Sequence, residues 1–406
     1  MNKAFTSIGL SPIVEISERI RDLAPRWEAA TGERFAFLQR GELSDPTPAY
    51  VLDAVKAAMD AGLTRYPKSG GEPFFKQAVL THLAEQGISD LGPEHVLATY
   101  GGQEGLQLVF GLHAGGKVVA FGPAWSCVLE NIFPYSGFTL ATTDLVERGG
   151  ALEVDFADLD AKLAGAALLY LNTPHNPTGK VFSRDELARI NALCLKHGVR
   201  IVSDEAYRDF VYGDARHVSM LEFGGDHVYA VCTCSKSYAA TGFRIGFTVC
   251  RDAEAIFRLT LGEYTQTAGV VPFIQKGFAA ALTERGPRDA WLADLMARFG
   301  RRRDLVYERL HPVLGDSLYR PEGAFYFFLN LKDRTRPAPR GTALGAHLLQ
   351  QFLDAGVAVV PGSAFGGSAW ADHVRLSFSA IDEAPLGRAL DRIATQVLVG
   401  RGAESA

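Results

Sequence analysis

Through the middle of the chain, short apolar runs alternate with segments of helical period. His95–Tyr100 (HVLATY) reads as a strand; Gly101-Gly102 follow, and Leu106 and Phe110 then set the period of a helix. Lys117–Phe121 is a second strand and Ala167–Leu171 a third. Ser183-Arg184-Asp185-Glu186 then forms a capping box, in which the serine hydroxyl and glutamate carboxylate satisfy the first free backbone N–H groups. The helix it opens carries Leu187, Ile190 and Cys194 on one face and stops at Gly198, a left-handed cap. Val199–Ser203 and Tyr229–Thr233 are further strands. This alternation predicts an α/β fold: a mostly parallel sheet flanked by crossover helices.

The two ends of the chain read differently. An amphipathic segment runs from Ile13 to Leu23, and a Gly- and Pro-containing loop from Gly41 to Pro48. Past Arg288 comes a long helical stretch whose Arg301-Arg302-Arg303 run reads as a solvated face, then a surface loop over Lys332–Arg340. The expected organisation is a large domain over residues 46–289 and a smaller α+β domain built from residues 1–45 and 290–406, with Gly400–Ala406 as an unstructured tail.

Composition narrows the function classes. The 46 acidic and 41 basic residues leave a net charge of -5, which offers no excess of cations for nucleic acid. No signal-peptide core follows Met1, and no apolar run approaches the ~20 residues of a membrane helix. The five scattered cysteines read as reduced thiols of a cytoplasmic protein, with Cys232 and Cys234 as small apolar filling in a strand. The ten histidines show no paired metal-binding spacing, so no metal site is expected.

Ligands of an open parallel sheet bind beyond the carboxyl ends of its strands. Polar residues cluster at those ends: Asn172 to Gly179 after one strand, Asp204-Glu205-Ala206-Tyr207 after another, and Cys234-Ser235-Lys236 after a third. One cleft is therefore expected to see Asn176, Asp204, Tyr207 and Lys236 together. A lone lysine after a strand is ordinarily a solvated surface charge. Here Ser235 precedes it and Arg244 follows eight positions on, which changes the reading.

Further motifs recur in order along the chain. They are Tyr66 with Gly70-Gly71, Gly101 to Leu106 (GGQEGL), Pro123-x-Trp125, Asn172-x-Pro174-x-Asn176-Pro177-x-Gly179, and Asp204-Glu205-x-Tyr207. Ser235-Lys236 with Thr241-Gly242-x-Arg244-x-Gly246, Pro321-x-Gly323-Ala324-Phe325-Tyr326, Pro361-Gly362 and Arg375-Leu376-Ser377-Phe378 complete the series. With these the chain resembles the fold-type I, class I/II aminotransferases, which depend on pyridoxal 5'-phosphate, over essentially its whole length.

The resemblance implies a role for each matching residue. Lys236 would carry the cofactor as a Schiff base, which requires a neutral amine, and would later shuttle a proton. Asp204 would face the ring nitrogen and keep it protonated; Tyr207 and Asn176 would bond the ring hydroxyl oxygen, and Trp125 would stack on the ring. Gly101-Gly102 opens a helix, so the N–H groups of Gly102 and Gln103 can meet the phosphate with the helix dipole behind them. The resemblance adds Ser235 and Arg244 to that cup, and gives Tyr66 the phosphate of a neighbouring subunit, so that a homodimer with shared sites is implied. Arg375 would grip the substrate α-carboxylate with Asn176 nearby, and the Gly41 backbone would close over it. The Glu42-Leu43-Ser44-Asp45 stretch departs from the loop usual in the family.

The implied reaction moves the α-amino group of an L-amino acid to a 2-oxo acid by a ping-pong mechanism. The alternatives sharing the cofactor are a lyase, cyclase or oxidase acting after Cα deprotonation. A nicotinamide enzyme lacks its GxGxxG here, and a serine hydrolase its GxSxG elbow. A cofactor-binding transcription regulator would need a DNA-binding module ahead of a pattern that already starts within about 15 residues. Gln103 stands where many aspartate-specific relatives carry a lysine, which argues against a dedicated aspartate enzyme; the residues near Ile16 and Trp125 are expected to shape the side-chain pocket.

Overall fold

The computed structural model describes residues 6, 8–113 and 115–398. The tail expected over residues 400–406 lies outside them. The strands are β1 (Ala36–Phe37), β2 (Val96–Thr99), β3 (Gly116–Gly122), β4 (Phe138–Arg148), β5 (Ala151–Val154), β6 (Leu168–Asn172), β7 (Arg200–Asp204), β8 (Val228–Thr233) and β9 (Gly246–Val249). Four more follow: β10 (Tyr326–Asn330), β11 (Val357–Ala358), β12 (Val360–Pro361) and β13 (His373–Ser377).

The main sheet has the order β2-β9-β8-β7-β6-β3-β4-β5. Strands β4, β3, β6, β7 and β8 run parallel, while β9 runs against both β8 and β2, and β5 against β4. Helices such as Arg184–His197 supply the crossovers that parallel pairing demands. That helix has its capping box at Ser183 and Glu186 and ends on Gly198 at φ 68, as its sequence predicts. The link from β8 to β9 holds only a 3₁₀ turn, Thr241–Phe243, so β9 returns antiparallel. Strands β4, β5 and β9 are not apparent in the hydrophobic pattern.

Side chains alternate across the parallel strands with period two. Val119, Phe121, Leu169, Leu171 and Ile201 join one apolar cluster, and Val118, Ala120, Leu168, Tyr170 and Val202 another, so the sheet is buried on both faces. A third cluster unites Ile16 and Ile20 of the helix Pro12–Thr31 with Phe299 of the helix Arg285–Leu314 and with the strands β10 and β13. The architecture is α/β, with small sheets of β10-β13-β12 and β1-β11 beside the main one.

The arginine run corrects one expectation. Arg301 is exposed, but Arg302 is buried, pairing with Asp382 at 2.9 Å and lying over the Phe299 ring, and Arg303 covers the Tyr212 ring at 4.8 Å. Successive helical positions turn by about 100°, so three adjacent arginines cannot share one solvated face. The loop over residues 332–340 is mostly exposed, as expected, apart from a buried Arg334.

Candidate active site

The ends of β6, β7 and β8 open on a cleft of about 800 Å³. Of the residues singled out in the sequence, Gly41, Gly102, Gln103, Trp125, Asn176, Asp204, Tyr207, Ser235, Lys236, Arg244 and Arg375 all border it. Tyr66 does not; it is 92% exposed on the surface of this chain. Ile13, not Ile16, reaches the cleft, because Ile16 faces into the core beneath the same helix.

Asp204 is the last residue of β7 and is buried. Tyr170 of β6 donates its hydroxyl to Oδ2 at 2.7 Å, and the Ala206 N–H donates to Oδ1 at 3.1 Å. Burial pushes its carboxyl up to about 6, against those two donors and the Lys236 charge, which lower it. The adjacent Glu205 shows the opposite result: burial alone would raise it, but His217 at 3.1 Å, Arg208 and the Ser219 hydroxyl bring it down to about 2. Asn172, paired with Asp204 across the sheet, donates to the Asp204 carbonyl at 3.0 Å and accepts the Asn176 N–H at 2.7 Å. It thereby pins the loop that carries Asn176 to the end of β7.

Asn176 Nδ2 lies 3.4 Å from the Tyr207 hydroxyl, which meets the Tyr326 hydroxyl at 2.9 Å. Tyr326 belongs to a motif noted in the sequence, but its place in this chain of hydroxyls was not apparent there. Nor were those of Tyr170, Asn172 and Thr233. A phenol inside an apolar strand such as LLYLN needs a buried partner, and that was the available signal for Tyr170.

Lys236 is half-buried and its Nζ donates to the Gly41 carbonyl at 2.7 Å. Burial first, then the charges of Arg375 and Arg244, pull its ammonium down to about 8, while Glu42 and Asp204 work the other way. The site therefore releases a neutral amine far more readily than water does.

At the opposite wall, Gly101 begins the helix Gly101–Leu112 at φ 78, a conformation suited to glycine. A Cβ on Gly246 would run into the Cys232 carbonyl, so both glycines let this helix end sit close against β8 and β9. The Thr233 hydroxyl donates to Ser235 Oγ at 2.8 Å, and Arg244 is held by the Thr241 carbonyl at 2.9 Å. Helix N–H groups, a serine and a guanidinium make an anion cup that fits a phosphate.

Arg375, 2% exposed, donates to Asn176 Oδ1 at 3.1 Å and to the Gln39 carbonyl at 2.9 Å, and lies 4.4 Å over the Tyr326 ring. Its Nε is buried without a partner. Among the described residues, neither Arg375 nor Arg244 forms an ion pair with a carboxylate. Three cations among the described residues, Lys236, Arg244 and Arg375, thus border the cleft against the single carboxylate of Asp204. The cleft calls for anions.

Gly41 faces Tyr326 closely, since a Cβ there would sit 2.5 Å from the Tyr326 hydroxyl. Gly41→Ala is expected to displace that ring, and with it Tyr207 and Arg375, at an overpacking cost of about 1–3 kcal/mol in folding stability. Steady-state kinetics beside a thermal melt checks this: Tm falls, and kcat/KM falls with it as Tyr207 and Arg375 move. An unchanged kcat/KM would mean that the loop yields instead of the tyrosine.

The profile of the family described as "Aminotransferase class I and II" matches residues 37–393. A probable aspartate/prephenate aminotransferase of Aquifex aeolicus is 31% identical, over 92% of this chain and 92% of that protein. The aspartate aminotransferase of Geobacillus stearothermophilus is 29% identical over 96% and 97%. Among solved structures, the Thermus thermophilus aspartate aminotransferase with maleate superposes with a TM-score of 0.88 at 27% identity, covering 98% of this chain and 99% of that one. These similarities favour transamination over elimination, cyclisation or oxidation. The chain therefore belongs to the class I and II aminotransferases, and it is a pyridoxal-phosphate-dependent aminotransferase acting on amino acids and 2-oxo acids.

Proposed function

We propose that Lys236, Asp204 and Tyr207 are the catalytic groups and that Arg375, with Asn176 and the Gly41 backbone, receives the substrate α-carboxylate. The observation that carries this reading is the imbalance of three cations against one carboxylate around the cleft. Pyridoxal phosphate, when bound, supplies an aldehyde that captures amines and a ring that draws electrons from the substrate Cα. Gly102, Gln103, Ser235 and Arg244 would hold its phosphate, Trp125 its ring face, Asp204 its ring nitrogen, and Tyr207 with Asn176 its ring hydroxyl. The Lys236 amine, once free, accepts the Cα proton and returns one, a task suited to a base poised near neutrality. Arg375 orients the amino acid and, buried on ring faces, excludes water from the charges it pairs.

The working unit in this reading is a homodimer. Phe257, Leu261 and Tyr264 present an exposed stripe along the helix Ala253–Thr267. The Tyr66 loop continues that face, with Gly70 backed against Thr260 and Gly269 against Pro67. An apolar stripe beside an exposed tyrosine suits a second copy related by two-fold symmetry, which would carry Tyr66 to the partner's phosphate cup.

Complementation tests the shared site. Tyr66→Ala and Lys236→Ala are each expected to be impaired alone. On mixing and re-equilibration half the dimers are hybrid, each with one intact site, so about a quarter of wild-type sites return. No recovery, with hybrids shown by native mass spectrometry, would refute the shared site.

The division into residues 1–45 with 290–406 and residues 46–289 is supported by an apolar cluster drawn mainly from the two chain ends, which Tyr207, Phe210 and Tyr212 join from the larger part. The cytoplasm suits five free cysteines, four of them buried. Among the described residues no helix is long and apolar enough to cross a membrane. Several relatives are named for aspartate, so aspartate belongs in a substrate panel. Gln103 and the absence of a fourth cation around the cleft among the described residues support an uncharged side chain instead.

A further inference from the structure

Tyr170 does not border the cleft, yet its hydroxyl makes the 2.7 Å bond to Asp204 Oδ2. Its position follows from the sheet. Asn172 of β6 stands opposite Asp204 of β7, and Tyr170 is two residues earlier on the same face. A diagonal neighbour on an adjacent strand is within reach of a long aromatic side chain. The ring is fixed by Phe133 at 5.8 Å and Phe110 at 6.4 Å.

Resting on the reading of Asp204 given above, we propose that Tyr170 is a positioning residue that acts through Asp204. Its hydroxyl holds one carboxylate oxygen while the Ala206 N–H holds the other. Together they fix the rotation of the carboxylate and favour its ionised form. Only an ionised Asp204 can keep a proton on a ring nitrogen, and burial works against ionisation. The other groups that face Asp204 are Glu205 beside it, Lys236 from the segment after β8, Cys232 of β8 itself, Tyr207 from the following turn, and Cys127 from beyond β3. Of these Lys236 alone is a cation, and it loses that charge when its amine is used. The phenol is thus the one side-chain donor to the Asp204 carboxylate among the described residues.

Tyr170→Phe removes the hydroxyl and keeps the packed ring. A hydrogen bond to a charged group of this kind corresponds to about a tenfold effect or more. Three readouts follow. In the holoenzyme kcat falls about tenfold with KM little changed. In the apoenzyme, the Asp204 titration, followed by NMR of carboxyl-labelled aspartate, moves upward from its wild-type value. The dissociation constant for pyridoxal phosphate rises about tenfold in the wild-type background and does not rise further in an Asp204→Asn background, because the two residues form one unit. Equal weakening in both backgrounds would make Tyr170 merely structural, and no change in any readout would also overturn the proposal. If Tyr170→Phe fails to fold, 3-fluorotyrosine at position 170 keeps shape and donor; its more acidic phenol should lower the Asp204 titration, and an unchanged titration overturns the inference. Failure of the underlying reading is distinguishable: Asp204→Asn would then leave cofactor affinity intact.

Discussion

Lys236→Ala is expected to abolish the absorbance band of the covalently bound cofactor and to lower turnover by about 10⁴-fold or more. Among the described residues no other lysine borders the cleft, so none of them offers a second amine to take over. The size of the effect reflects two losses at once, the covalent attachment point and the base that moves the Cα proton. The environment prepares both. Burial, Arg375 and Arg244 hold the ammonium down to about 8, so the neutral form is accessible without strong alkali. The pH dependence has a definite sign. Because the pKa is lowered from 10.5 to about 8, the rate at which apoenzyme captures the aldehyde should rise with pH up to about 8 and level off above it. Stopped-flow absorbance reads both the band and the rate. A variant lacking this lysine that turned over at the wild-type rate would end the assignment.

The parts of this fold that were legible in sequence are those where local chemistry and global position agree. Strands β6, β7 and β8 are short apolar runs that each end in polar residues, so the sheet and the contents of its cleft could be read together. The capping box at Ser183 worked for the same reason, since its partners are three residues apart. Strand β9 was hidden because it has only four residues and follows a turn, and β4 because its outer positions are exposed and polar. Tyr170 was hidden inside an apolar run; its partner is 34 positions away and meets it only through sheet register. The arginine run failed differently. Its composition suggests a solvated face, but helical geometry directs Arg302 to Asp382, 80 residues later. The neighbours Asp204 and Glu205 carry a related lesson. Both are buried acids in one motif: burial sends Asp204 up to about 6 against only two donors, while His217, Arg208 and Ser219, from the segment that follows β7, bring Glu205 down to about 2.

Arg375→Ala is expected to lower kcat/KM by about 10²–10³-fold, mainly through KM, because a guanidinium that meets a desolvated carboxylate contributes about 2–5 kcal/mol when one partner is removed. The structure explains why this arginine has such weight. It is buried between the Tyr326 and Phe365 rings, at 4.4 Å and 5.1 Å, with only neutral oxygens from Asn176 and Gln39 as partners and an Nε that has none. A buried cation without a counter-charge weakens the free protein and strengthens binding of any anion that reaches it. The stability of the unliganded variant should therefore hold or rise even as affinity for the amino acid collapses. Arg375→Lys separates charge from shape: an ammonium keeps the charge but loses the fork and the planar fit between the rings, so recovery should be partial. Kinetics of the amino-acid half-reaction, together with thermal melts of the three proteins, check the pattern. A fall in Tm matching the fall in kcat/KM would recast Arg375 as a core residue and leave the substrate carboxylate to another group.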